Sequence, residues 1–84
     1  MLKTLPESIG QLTALEKLQL NSNELKSLPE TIGQLTALRI LHLYENQLTE
    51  LPETLKNLTN LETAWVDMVN DPVVKYLNSK GVDI

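Results

Sequence analysis

The chain of 84 residues contains no cysteine and no phenylalanine, and only one tryptophan, one histidine and two tyrosines. Without cysteine, neither disulfide bonds nor thiolate metal ligands can stabilise the fold. A chain of this length forms a core that is only marginally sufficient. A loss of packing at either end of the chain should therefore lower its stability appreciably. The absence of cysteine also fits a reducing compartment.

Long apolar runs and excess basic charge are also missing. No apolar run approaches the roughly 18 residues that a membrane-spanning helix requires. The first residues, MLKTLPESIG, lack the basic start and apolar stretch of a signal peptide. The net charge of -4 disfavours nucleic acid or an anionic membrane as a partner. We therefore expect a soluble, cytoplasmic protein with no nucleic-acid and no membrane partner.

The residue combinations that catalysis needs are absent or isolated. His42 is the sole histidine, and no G-x-G-x-x-G, phosphate-loop or H-E-x-x-H motif occurs. Asp67 and Asp71 are close in sequence, but we assign one to a strand end and the other to a helix cap. We expect no catalysis, no cofactor and no metal site.

The chain does contain a repeat. LEKLQLNSN (15–23) returns 23 residues later as LRILHLYEN (38–46) and again, degraded, as LETAWVDMV from Leu61. The intervening segments also match, as LKTLPESIGQLTA, LKSLPETIGQLTA and LTELPETLKNLTN. Alternating apolar residues predict a strand with one buried face. Copies one period apart must then lie side by side in a parallel sheet, which makes the chain a repeat solenoid.

The consensus LxxLxLxxNxLxxLPxxIGxLTx resembles the leucine-rich repeat, most closely the 23-residue LPxxIGxL type of bacterial and Ras-group-related leucine-rich repeat proteins. The resemblance covers Leu2 to about Val66. It implies an α/β repeat fold, a short solenoid with about three parallel strands on a concave face and irregular or helical convex arms. We divide the chain into a half repeat (1–14), repeats 15–37 and 38–60, a degenerate repeat (61–69) and a C-terminal cap (70–84).

Several positions have predicted structural roles. The resemblance implies that Asn23 and Asn46 form an asparagine ladder that satisfies buried backbone groups. We predict that Gly10 and Gly33 allow a tight turn, and that Lys56, at the equivalent third position, makes the last arm more helical. A proline begins each return arm and fixes φ there. These prolines are Pro6, Pro29 and Pro52.

The C-terminal segment is typical of a helical cap. Asp71 and Pro72 provide an N-cap and a first-turn proline, and Gly81 lies at the expected helix end. Val69 occupies the third ladder position, where Asn70 could substitute with a slip of one residue. The apolar helix face comprises Val73, Val74 and Leu77, and Val82 and Ile84 add an apolar tail.

The N-terminal end begins in the middle of a repeat. Its apolar side chains, which should lie on an open end beside an unpaired strand edge, are Leu2, Leu5, Ile9 and Leu12. Two alternatives remain open: the first arm folds down as a modest cap, or the end pairs with a second copy to form a homodimer.

Outward residues of parallel strands line up in rows, and one row is Gln19, His42, Trp65. Leucine-rich repeat proteins commonly bind partners on this concave face. The candidate partner-binding residues are Gln19, Arg39, Ile40, His42, Tyr44, Trp65 and Met68. Alternatively, Trp65 covers the sheet edge or packs under the C-terminal helix. We interpret the row Glu16, Arg39, Glu62 as a solvated charge ladder.

These observations favour a non-catalytic protein–protein interaction module that binds another protein on the concave face. The alternatives are a self-assembling structural piece, dimeric through the N-terminal end, and a truncated or engineered fragment of a longer leucine-rich repeat protein.

Overall fold

The computed structural model describes residues 1–68 and 70–84. Three five-residue 3₁₀ helices, called the arm helices, alternate with three short strands, and an α-helix follows. The arm helices are Glu7–Gln11, Glu30–Gln34 and Glu53–Asn57; the strands are β1 (Lys17–Gln19), β2 (Ile40–His42) and β3 (Thr63–Trp65); the α-helix is α1 (Pro72–Ser79). Within the described residues, no helix is long and apolar enough to cross a membrane.

The strands form one parallel sheet in the order β1-β2-β3. Leu18, Leu41 and Ala64 stand opposite one another in register. This register equals one repeat period, so each strand pairs with the copy of itself one repeat later. The fold class inferred from the repeat, a short solenoid with parallel strands and helical arms, is confirmed.

The core lies between the sheet and the arm helices. Leu38 and Leu41 are fully buried, and Leu43 is nearly so. Ile32 of the second arm helix and Leu35, which directly follows that helix, enter the same cluster. Burial of each such side chain contributes about 1.5–3 kcal/mol. The aliphatic positions of the repeat are therefore the main source of stability.

The predicted asparagine ladder is confirmed. Asn46 donates from Nδ2 to the carbonyls of Leu20 (2.9 Å) and Leu43 (3.0 Å), and its Oδ1 accepts from the N–H of Leu25 (3.0 Å). Asn23 also donates to Leu20 O (2.9 Å). One half-buried amide thus satisfies backbone groups of two successive repeats. The ladder position at Val69 lies outside the described residues, and Asn70 is an exposed turn residue.

The predicted role of two glycines was wrong. Gly10 and Gly33 lie within the arm helices rather than in turns, and the glycine with positive φ is Gly81 (φ 89°). A β-carbon on Gly10 would lie 2.8 Å from the carbonyl oxygen of Thr31. Glycine is needed there because successive arm helices approach closely.

The prediction of a more helical third arm was also wrong, since Glu53–Asn57 is a five-residue 3₁₀ helix like the other two. On one side it packs against the second arm helix, and on the other side α1 takes the place of a further arm helix. Lys56 therefore has room for a side chain, and its Nζ lies 5.0 Å from the ring centroid of Tyr76.

The helix predicted in the C-terminal segment is present as α1. Asp71 caps α1 by accepting from the N–H groups of Val73 and Val74, and Val73, Val74 and Leu77 are buried. The tail after Gly81 adds a pairing that the sequence did not predict. Asp83 donates its N–H to Glu62 O (2.9 Å) and accepts from Ala64 N (2.8 Å). The tail thus covers the outer edge of β3.

The N-terminal end exposes apolar side chains. Leu2 is 46% exposed and Leu12 51%, whereas their counterparts in the next repeat, Leu25 and Leu35, are fully buried. Leu5 and Ile9 are half-buried and pack against the core. The first arm therefore covers part of the core itself and leaves an apolar rim in solvent.

Candidate functional site

Three rings form a cluster on the outer face of the sheet, and we call His42, Tyr44 and Trp65 the aromatic cluster. His42 and Trp65 are stacked, with ring centroids 4.7 Å apart and an interplanar angle of 3°. Tyr44 is tilted against both, at 5.8 Å from His42 and 6.4 Å from Trp65. Parallel strands in register place side chains about 4.8 Å apart. The stack therefore follows directly from the repeat period.

Polar side chains fix the two ends of this stack. Gln19 Nε2 lies 3.3 Å from His42 Nδ1. At the other end, Trp65 donates from Nε1 to Asp83 Oδ2 at 3.3 Å. Trp65 nevertheless remains 43% exposed. The indole therefore lies against His42 and the tail and still presents a broad surface to solvent.

Arg39 lies between two carboxylates, in the row that precedes the strands and comprises Glu16, Arg39 and Glu62. Its Nε donates to Glu62 Oε2 at 2.7 Å, and its Nη1 lies 3.6 Å from Glu16 Oε1. The hydrogen bond with Glu62 raises the pKa of Arg39 and lowers the pKa of Glu62. The side chains are more than half exposed. This geometry is the solvated charge ladder that the sequence predicted, and such pairs contribute little to stability.

A hydrogen-bonded loop follows the strands, and sequence reasoning did not predict its contacts. Ser22 and Glu45 occupy equivalent positions with φ of 61° and 59°. Asp67 Oδ2 accepts from the N–H of Glu45 at 2.7 Å, and the hydroxyl of Ser22 donates to the carboxylate of Glu45. A short polar side chain after each strand was the available signal, because such side chains bond nearby backbone groups.

The candidate residues do not all lie together. Gln19, His42, Tyr44 and Trp65 form a continuous group. Ile40 stands in the row of Lys17 and Thr63, one step along the sheet. Arg39 precedes Ile40 and belongs to the charge ladder. Met68 is half-buried and packs against the core, so it lies at the margin of the site.

The site offers an aromatic surface with carboxylates at its border. Among residues 1–68 and 70–84, no group of three His, Asp or Glu side chains could hold a metal ion. This surface can bind another molecule by stacking and by charge.

Comparison with known proteins identifies the family. A family model described as a leucine-rich repeat region matches residues 1–79. The chain belongs to the leucine-rich repeat family. A leucine-rich repeat protein of Leptospira interrogans has a similar solved structure, with a TM-score of 0.84 and 36% sequence identity over 98% of this chain. The leucine-rich repeat chain described here spans 22% of that protein's length. No curated protein matches the sequence. Leucine-rich repeat folds are generally non-enzymatic scaffolds that bind other proteins.

Proposed function

We propose that this chain is a non-catalytic protein–protein interaction module and that its partner binds the outer face of the sheet. The observation that supports this most strongly is the His42–Trp65 stack, which holds an indole 43% exposed on a strand. The contact surface would comprise the residues of the aromatic cluster and its neighbours: Gln19, Arg39, Ile40, His42, Tyr44 and Trp65, with Met68 at the margin.

Rigid, exposed aromatic side chains favour binding for two reasons. They bury a large area in a partner and are enriched among residues that dominate interface energy. They also lose little conformational freedom on binding when they are already fixed. Stacking on His42 and the bond to Asp83 fix the indole of Trp65 in this way.

The experiment compares the immobilised wild-type chain with a His42→Ala/Trp65→Ala variant in a mixture of proteins from the source cell. We expect a protein that the wild type retains and the double variant loses, while far-UV circular dichroism shows the same fold. A Glu7→Ala/Glu30→Ala variant, altered only on exposed positions of the arm helices, should retain it. Equal retention by the His42/Trp65 variant would refute the assignment of this face.

The second candidate function is self-association through the N-terminal end. The contrast between Leu2 (46% exposed) and Leu25 (0%), which are equivalent by the repeat, favours it. A second copy could cover this rim and pair along the open edge of β1. Each leucine buried would contribute about 1.5–3 kcal/mol, which is large beside the stability of a small domain.

Solution mass, measured by light scattering after size exclusion over a hundredfold range of concentration, tests this candidate. We expect a dimer for the wild type and a monomer for Leu2→Glu/Leu12→Glu. These two leucines are the more exposed members of the rim, so the fold should tolerate the change. Ser27→Glu/Thr49→Glu adds the same charge at exposed positions of the next two repeats and should remain dimeric. A wild-type monomer throughout would exclude self-association.

A further inference from the structure

We propose that the partner segment bound by the aromatic cluster is basic, and that an arginine side chain of that segment lies over the indole of Trp65. This inference rests on the proposed function and adds the chemistry of the partner. Its basis is the combination of an exposed indole with carboxylates placed at its border.

Negative charge is concentrated around Trp65. Asp83 is hydrogen-bonded to the indole Nε1, Asp67 lies two residues after Trp65, just beyond β3, and Glu62 immediately precedes β3. The sequence has no lysine or arginine between Lys56 and Lys75, although Lys75 of α1 lines a cavity together with Asp83. Of the two cations on the same face of the sheet, Arg39 is already bound to Glu62, and Lys17 lies on β1, two strands away from Trp65. A partner with positive charge would therefore meet a complementary surface here, which aids both encounter and specificity.

The indole itself is suited to a cation. Attraction between a cation and an aromatic ring is strongest for tryptophan, and it acts over the ring face. His42 covers one face of the indole by stacking. In the described part of the chain, the two lysines that lie over an aromatic ring, Lys56 and Lys80, both lie over Tyr76. Donation of the indole N–H to the Asp83 carboxylate also increases the electron density of the ring, which strengthens its attraction for a cation.

Arginine fits this site better than lysine does. A guanidinium group stacks flat on an aromatic ring and donates in a fork to carboxylates at the same time. Asp83 and Asp67 each use Oδ2 in their bonds to Trp65 and Glu45. Oδ1 of each carboxylate can therefore accept from the guanidinium while the existing bonds remain in place.

The test uses three short peptides, acetyl-(Arg-Ser)3-amide, its lysine analogue and its neutral glutamine analogue. Trp65 is the only tryptophan, so its fluorescence reports binding at this site alone. We expect a saturable change in emission with the arginine peptide, a weaker one with the lysine peptide and none with the glutamine peptide. Raising the salt concentration from 0.05 to 0.5 M should weaken binding severalfold, because exposed charges are screened.

Two matched charge variants distinguish the effect on affinity of the charges beside Trp65 from the effect of the net charge of the chain. Asp67→Asn/Asp83→Asn keeps a carbonyl acceptor for each existing bond and removes two charges. It should lower the affinity for the arginine peptide at least fivefold. Glu7→Gln/Glu30→Gln removes two charges from the arm helices and should change affinity less than twofold. In calorimetry, Trp65→Leu should weaken binding by about two- to fivefold, the ratio expected for an exposed cation–π contact.

Three results would overturn the inference: equal affinity for the arginine and glutamine peptides, an equal loss of affinity in the two charge variants, or no saturable binding of the arginine peptide.

The proposed function is tested separately, by the protein-capture experiment. If no basic peptide binds but protein capture still depends on His42 and Trp65, the partner is not basic and the sheet face remains the binding surface. If capture is unaffected by the His42/Trp65 variant, the binding surface itself is wrong.

Discussion

Gly33 lies so close to Thr54 of the following repeat that a β-carbon on the glycine would be 2.5 Å from Thr54 Cβ and 2.6 Å from Thr54 O. The hydroxyl of Thr54 in turn donates to the carbonyl of Glu30 at 2.7 Å. Gly10 and Thr31 repeat this contact one layer earlier. The spacing between arm helices is therefore set by a glycine on one layer and a threonine on the next.

Replacement of this glycine should destabilise the protein. Because the contact involves backbone atoms that cannot swing away, Gly33→Ala should lower the free energy of unfolding by about 1–3 kcal/mol, the usual cost of overpacking. Urea unfolding followed by circular dichroism measures this. Lys56→Ala, at the equivalent position of the third arm helix, should cost less than 1 kcal/mol, since it loses only a surface ion pair with Glu53 and a contact with the Tyr76 ring. A neutral or stabilising Gly33→Ala would show that the arms can separate at little cost.

The glycines also show what the sequence could and could not predict. Register, strand direction and the row His42, Trp65 follow from the period, because equivalent residues of a stacked repeat must be neighbours. The role of Gly33 depends on the distance between layers, which the period alone does not determine. The bond from Trp65 to Asp83 was unpredictable for another reason. The tail lies outside the repeat, so nothing in the repeat pattern indicated that it pairs with β3.

Asn46 should matter more for stability than Asn23 does. Asn46 bonds four backbone groups of two repeats, the N–H of Leu25 and the carbonyls of Leu20, Leu43 and Tyr44. Asn23 bonds three, the carbonyls of Leu20 and Asn21 and the exposed N–H of Leu2. Asn46→Ala leaves half-buried groups without a partner, so we expect a loss of about 1–3 kcal/mol in unfolding free energy. Asn23→Ala should lose less in the same urea experiment. If Asn23→Ala lost more unfolding free energy than Asn46→Ala, the ladder would be stabilised mainly at its N-terminal end.

The capping bond of α1 gives a third prediction. Asp71 Oδ1 accepts from Val73 N at 2.8 Å and from Val74 N at 3.4 Å. Asp71→Ala should therefore reduce the unfolding free energy by about 1 kcal/mol. Asp71→Asn keeps an acceptor and should stay within a few tenths of a kcal/mol of the wild type. If both variants lose the same amount, the charge of Asp71 is what stabilises the helix, through the helix dipole, rather than its hydrogen bonds.

The ion pair between Arg39 and Glu62 predicts a specific titration. The hydrogen bond from Arg39 lowers the pKa of Glu62, and Coulombic attraction to the guanidinium adds to it. A carboxyl group with a lowered pKa in the folded state favours folding above its unfolded pKa of about 4.3, and this contribution disappears as the pH falls through the folded value. Arg39→Gln should raise the pKa of Glu62 to its ordinary value in an NMR titration of the side-chain carboxyl carbon. Lys17→Gln removes a charge from the same face without breaking the bond and should change this pKa much less. An equal shift in both variants would mean that the overall charge of the face, not the bond to Arg39, determines the ionisation of Glu62.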